Sequence, residues 1–152
     1  MSPANSDRIE KQILVRAPQA CVWRALTDVG EFGTWFRVKL DGPFVQGGRT
    51  TGHITYPGYE HLRMEVQVER MEAEALFSFH WHPAAVDPKV DYASEPTTLV
   101  EFQLEAMGEG TRVTVAESGF DRLPASRRDE AYRMNDGGWA QQMGNLQHHV
   151  DG

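Results

Sequence analysis

The sequence predicts an α+β domain, with helices on one face of an antiparallel sheet. Three observations predict it. Between Arg49 and Glu117, short runs that alternate apolar and polar residues are separated by turn-forming residues, the texture of antiparallel hairpins. Two short segments near the start and one long segment at the end instead place apolar residues at helical spacing. With 152 residues, 40% hydrophobic and 24% charged, the chain is sized and composed for one globular domain over residues 1–152.

Ile9, Ile13, Leu14 and Val15 make Arg8 to Arg16 the first strand, which Ala17-Pro18 breaks. Pro18 suits the first position of a helix, where its missing N–H would be unpaired anyway. Val22, Ala25 and Leu26 then mark one buried stripe on a helix from Gln19 to Leu26. Asp28-Val29-Gly30-Glu31 has the spacing of a capping box, so Asp28 and Glu31 are expected to satisfy free amides at the start of a second helix running to about Phe36.

From Lys39 the texture changes. Gly42-Pro43 and Gln46-Gly47-Gly48 are turn signals, and strands are expected over Arg49 to Tyr56, Leu62 to Arg70, Ala75 to His82, Leu99 to Leu104 and Thr111 to Glu117. Leu62, Met64, Val66 and Val68 alternate with Arg63, Glu65, Gln67 and Glu69, which predicts one buried and one wet face. Val100, Phe102 and Leu104 repeat the pattern, as do Val113 and Val115, while Phe77, Phe79 and Trp81 form an aromatic row. Pro83 to Pro96 holds three prolines and no periodicity, and reads as a long loop. Ser126 opens the last helix, with Met134, Gly138, Trp139, Gln142, Met143, Leu146 and Val150 assigned to one stripe. Gly137-Gly138 interrupts it at about 1 kcal/mol per glycine relative to alanine, which predicts a kink or a close approach.

Composition excludes several partners. With 15 Lys+Arg against 22 Asp+Glu, the net charge is −7, and nothing resembles the basic patch that a nucleic acid or an anionic membrane surface requires. No apolar run approaches the ~20 residues of a bilayer span, so no integral membrane association is expected. Met1 to Asp7 lacks the apolar core of a signal peptide. The single cysteine, Cys21, forbids an intrachain disulfide and points to a reducing, cytoplasmic compartment. Within Ala20-Cys21-Val22-Trp23 it reads as a small buried thiol rather than a nucleophile.

Glu117 shares the parity of Val113 and Val115, so it is the one polar residue continuing an apolar row. A carboxylate there would be desolvated, as a hydrogen-bond anchor or a general base, unless the strand ends and it emerges into water. His80 and His82 share the opposite parity, a spacing that can place two imidazoles on one metal but with no third ligand, so no metal is expected. His53 and His61 flank a hairpin loop containing Tyr56-Pro57-Gly58-Tyr59. Gly47-Gly48 lacks the spacing of a phosphate loop, and no Ser-His-Asp arrangement is evident.

Five segments, VWRALTDVGEFGTWF (22–36), LFSFHWHP (76–83), TLVEFQLE (98–105), GTRVTVAESGFD (110–121) and GGWAQQMGNL (137–146), occur in an order that resembles the START-related SRPBCC superfamily. Within it, they resemble the bacterial homologues of the activator of the ninety-kilodalton heat-shock protein ATPase. The resemblance implies a helix-grip fold, in which a curved antiparallel sheet wraps the C-terminal helix around an apolar cavity closed by the two short helices. It implies a binding site for a hydrophobic small molecule or lipid lined by Trp35, Met64, Phe77, Phe79, Trp81, Phe102, Glu117, Met134, Gly138 and Trp139. In the resembling family the position before Ser-Gly-Phe often holds His or Glu. The expected partner is a hydrophobic small molecule, with no cofactor, in a monomer or homodimer. The alternatives are a cyclase, dehydratase or hydrolase using Glu117, and a co-chaperone-like interaction module.

Overall fold

The computed structural model describes residues 7–82 and 94–151. β1 (Arg8–Val15) is followed by two short helices, α1 (Gln19–Thr27) and α2 (Val29–Phe36), that share a single linking residue. The Asp28 N–H closes α1 by donating to the Arg24 carbonyl at 2.9 Å, and the Asp28 side chain opens α2 by accepting from the N–H groups of Gly30 (2.8 Å) and Glu31 (3.3 Å). That N–H is already engaged, so Glu31 does not reach back to it as a capping box would. Glu31 instead takes Arg24 at 2.8 Å and His149 at 3.1 Å, which ties α2 to the end of the C-terminal helix.

Arg37 turns the chain out of α2 in the left-handed conformation (φ 67) and leads into β2 (Val38–Leu40). This strand was not expected from the sequence, because three residues are too few to show alternation. It pairs with β3 (Arg49–Ile54), and β4 (Arg63–Glu72), β5 (Leu76–Trp81), β6 (Thr98–Met107) and β7 (Gly110–Ser118) complete a seven-stranded antiparallel sheet in the order β1-β7-β6-β5-β4-β3-β2. Residues 83–93, most of the Pro83 to Pro96 loop, lie outside the described residues. A 3-10 turn (Phe120–Arg122) then leads to α3 (Ala125–Asp151).

The expected alternation places the core. Met64, Val66 and Val68 of β4, Phe77 and Phe79 of β5, Val100 and Phe102 of β6 and Val113 and Val115 of β7 are buried on one face. A bulge between Val68 and Arg70 shifts the parity of β4, so Met71 rather than Arg70 sits opposite Phe77 and packs against the core. α1 and α2 add Val22, Ala25, Leu26, Phe32, Trp35 and Phe36 to the same core. α3 also guards the β1 edge, where Tyr132 and Gln147 donate to the free carbonyls of Arg8 (2.8 Å) and Leu14 (3.2 Å).

α3 keeps Trp139, Met143, Leu146 and Val150 of the expected stripe and departs from it at Met134 and Gly138. Its buried residues are Ala131, Trp139, Met143 and Leu146, and Met134 is 43% exposed. At 3.6 residues per turn, Met134 lies about 140° around the helix from Trp139, whereas Asn135 lies only about 40° away. Asn135, not Met134, therefore faces inward with Trp139. Gly137 and Gly138 are exposed, α3 runs through them, and a Cβ at either would meet nothing within 4 Å. They mark no close approach.

Candidate functional site

Glu117 sits near the end of β7 in a cross-strand row with Ile9 of β1, Val100 of β6 and Phe79 of β5. It is completely buried, as the parity reading places it, rather than emerging into water. Four side chains from three elements donate to it. Trp139 Nε1 reaches Oε1 at 2.8 Å, Trp81 Nε1 reaches Oε2 at 2.8 Å, and Thr98 Oγ1 reaches Oε2 at 2.5 Å. Asn135 Nδ2 spans both oxygens, at 2.9 Å to Oε1 and 3.1 Å to Oε2.

Each donor follows from local structure. Trp81 is the third member of the β5 aromatic row, Thr98 opposes it as the first residue of β6, and α3 brings Asn135 and Trp139 together because i and i+4 share a helix face. A carboxylate offers about four lone-pair sites, so these contacts occupy its acceptor capacity. Among the described residues, no Lys, Arg or His forms an ion pair with it. A buried carboxylate held by neutral donors alone is rare enough in an apolar interior to mark a functional candidate.

Aromatic rings surround it. Trp81 and Trp139 lie 5.8 Å apart with planes inclined by 30°, and Phe36 touches both at 6.1 and 6.2 Å. Phe79 packs on Trp81 at 5.5 Å and Phe102 on Trp139 at 5.6 Å. Where the resemblance implies an open cavity, the described side chains fill the space with ring contacts. The shell is nevertheless uneven, since Thr98 and Trp139 are buried while Trp81 and Asn135 are only partly so.

The structure thus brings Trp81, Phe79, Phe102, Glu117 and Trp139 together. Phe77 continues the row one step deeper, Met64 lies on β4, and Trp35 packs within α2 and donates to the Ala25 carbonyl at 2.8 Å. Met134 and Gly138 are exposed and stand apart from it. Thr98 and Asn135 were missed. Thr98 shares the parity of Val100 and Phe102, and Asn135 precedes Trp139 by one helical turn, so both carried a legible signal.

A depression of about 620 Å³ is lined by Arg49, Glu65, Gln67, Glu69, His80 and His82 of the outer face and reaches Trp81 at the end of β5. There His80 Nε2 is 2.6 Å from Glu69, while the buried His82 Nδ1 has no hydrogen-bond partner among the described residues. Among the described residues no three His, Cys, Asp or Glu side chains converge as a metal site would need.

Comparison with solved structures supports the fold. Protein MLL2253 from Mesorhizobium loti superposes with a TM-score of 0.74 at 24% identity, covering 95% of this chain and 96% of that one. The Aha1 dimer from Colwellia psychrerythraea gives 0.69 at 17%, covering 95% and 96%. DynU16, from the dynemicin biosynthetic locus, gives 0.72 at 24%, and this chain, 95% covered, spans only 47% of its length. No curated protein matches the sequence. Residues 16–151 match the model of the Activator of Hsp90 ATPase homolog 1-like protein family, and with the seven-stranded sheet gripping a long C-terminal helix, the chain belongs to that family.

Proposed function

We propose that the chain binds a small, largely apolar molecule between the inner face of the sheet and α3, where Trp81, Trp139 and Phe36 surround Glu117. One observation carries this reading: an aromatic wall closes over a buried carboxylate, two of whose neighbours, Trp81 and Asn135, are partly exposed. The guest lies against these rings. The origin of DynU16 in a biosynthetic locus supports a small organic guest. With all acceptor sites of Glu117 engaged, this arrangement supports binding over proton abstraction. The single Cys21 favours the cytoplasm as the place where this happens.

Native mass spectrometry of freshly purified protein, followed by solvent extraction, identifies anything retained. Uptake of the fluorescent apolar probe Nile red then tests the site. Saturable uptake that weakens at least about threefold in a folded Phe79→Leu/Trp139→Phe variant is expected, the loss following from reduced ring contact. Uptake that is absent, or unchanged in that variant, contradicts the proposal.

A further inference from the structure

The Glu117 shell also specifies the polar end of the guest. We infer that the bound molecule carries a hydroxyl or N–H donor at one end and places it on Glu117 in the position now held by the Asn135 amide. This inference rests on the binding reading above and names the ligand class for that site.

Three observations carry it. First, the residue at the head of the apolar wall is an acceptor with no cation partner among the described residues, and its other contacts are the N–H and O–H donors of Trp81, Thr98 and Trp139. A guest ending in a carboxylate or phosphate would place like charge against it in a poorly screened interior. A guest ending in a donor replaces one hydrogen bond by another.

Second, the four donors are not equally fixed. Trp139 and Thr98 are 2% and 0% exposed and lie behind the carboxylate. Trp81 is partly exposed but is held by rings on several sides, with Phe36 at 6.1 Å, Phe79 at 5.5 Å and Trp139 at 5.8 Å. Asn135 is partly exposed and shares one amide nitrogen between both oxygens, at 2.9 and 3.1 Å, against 2.8 Å for each indole. It is the least costly donor to displace, because its amide can turn to water at the helix surface.

Third, displacing Asn135 frees acceptor capacity on both oxygens at the point where Trp81 and Trp139 face one another. A donor placed there has its apolar body lying against those two indoles. The same geometry disfavours fatty acids and phospholipids and favours long-chain alcohols, amides and amines.

The test compares two isomers of equal size, decan-1-ol, which has a donor, and methyl nonyl ether, which has none. Binding is followed by titration of the indole N–H signals of the intact protein. Decan-1-ol is expected to bind roughly tenfold more tightly than the ether, because the hydroxyl exchanges its water partners for Glu117 whereas the ether oxygen gives up water and finds no donor. In Asn135→Ala, which keeps the buried carboxylate and its other donors, decan-1-ol should tighten by several-fold relative to wild type while the ether does not change. Equal affinities for the two isomers in wild type, or an Asn135→Ala variant that leaves the alcohol unaffected, overturn the inference while leaving the binding proposal standing. Failure of both isomers to bind overturns the two together. Should Asn135→Ala not fold, Asn135→Ser, with a shorter side chain, provides the same comparison.

Discussion

Replacing Glu117 by glutamine tests how the buried carboxylate is held. The substitution keeps volume and shape but exchanges one acceptor oxygen for an NH2 group. Whichever way the amide is turned, its nitrogen faces one of the two indole N–H groups, from Trp81 or Trp139, that now donate at 2.8 Å. Thr98 can rotate to accept, but an indole N–H cannot. At least one buried donor is orphaned at about 1–3 kcal/mol, and the remaining bonds fall from charge-assisted to neutral strength. Together these give a loss of about 3 kcal/mol, reduced below a larger sum because the neutral amide is less costly to bury. At about 2.1 cal/mol/K of unfolding entropy per residue, a chain of 152 residues loses about 9 °C in Tm. Equilibrium urea denaturation measures the first figure and calorimetry the second. A Glu117→Gln variant within about 0.5 kcal/mol of wild type would refute the reasoning, because it would mean that the four donors do not depend on a carboxylate. A cycle with Trp139→Phe sharpens the result, since two groups in one network should couple by at least about 0.5 kcal/mol.

Other parts of the fold make independent predictions. Gly137→Ala and Gly138→Ala should each stabilise α3 by about 0.5–1 kcal/mol, since a Cβ at either meets nothing within 4 Å; a loss measured by denaturation would show a constraint that the geometry does not contain. Asp28→Ala removes the side chain that accepts from two α2 amides and should cost about 1 kcal/mol, with Asp28→Asn recovering most of it in the same assay. Burial, followed by the Asp136 carboxylate, holds the Tyr132 hydroxyl above its ordinary value of 10.0 against the opposing effect of Lys11. The folded state therefore favours neutral Tyr132, so this contribution is complete below about pH 10 and is lost as pH rises through the raised value. Denaturation midpoints measured between about pH 9 and pH 11 should fall less steeply in Tyr132→Phe than in wild type.

Strand alternation makes most of the candidate site legible in the sequence. Parity alone placed Glu117 on the same face as Val113 and Val115, and Phe77, Phe79 and Trp81 in one inward row, because a period of two leaves no choice of face once one residue is buried. The bulge after Val68 exchanged Arg70 for Met71, a single-residue insertion that no local pattern announces. β2 escaped because three residues show no period. α3 was harder to read because its face is chosen by what it packs against. Met134 is apolar and Asn135 polar, so a stripe drawn on hydrophobicity passes through Met134, while the carboxylate across the interface calls for a donor at Asn135. The capping box was half legible: Asp28 caps as its spacing predicts, but a one-residue link between two helices engages its own N–H.

The four tryptophans provide the most direct measurement of the central claim. Indole N–H signals of 15N-labelled protein, assigned by Trp-to-Phe substitution, are followed as decan-1-ol is added. Trp81 and Trp139 donate to Glu117 and line the proposed site, whereas Trp35 donates to the Ala25 carbonyl within the α1–α2 pair. Binding at the aromatic wall predicts saturable shifts of Trp81 and Trp139 with Trp35 unmoved. Shifts spread evenly over all four signals, or none at the two that hold Glu117, would contradict it.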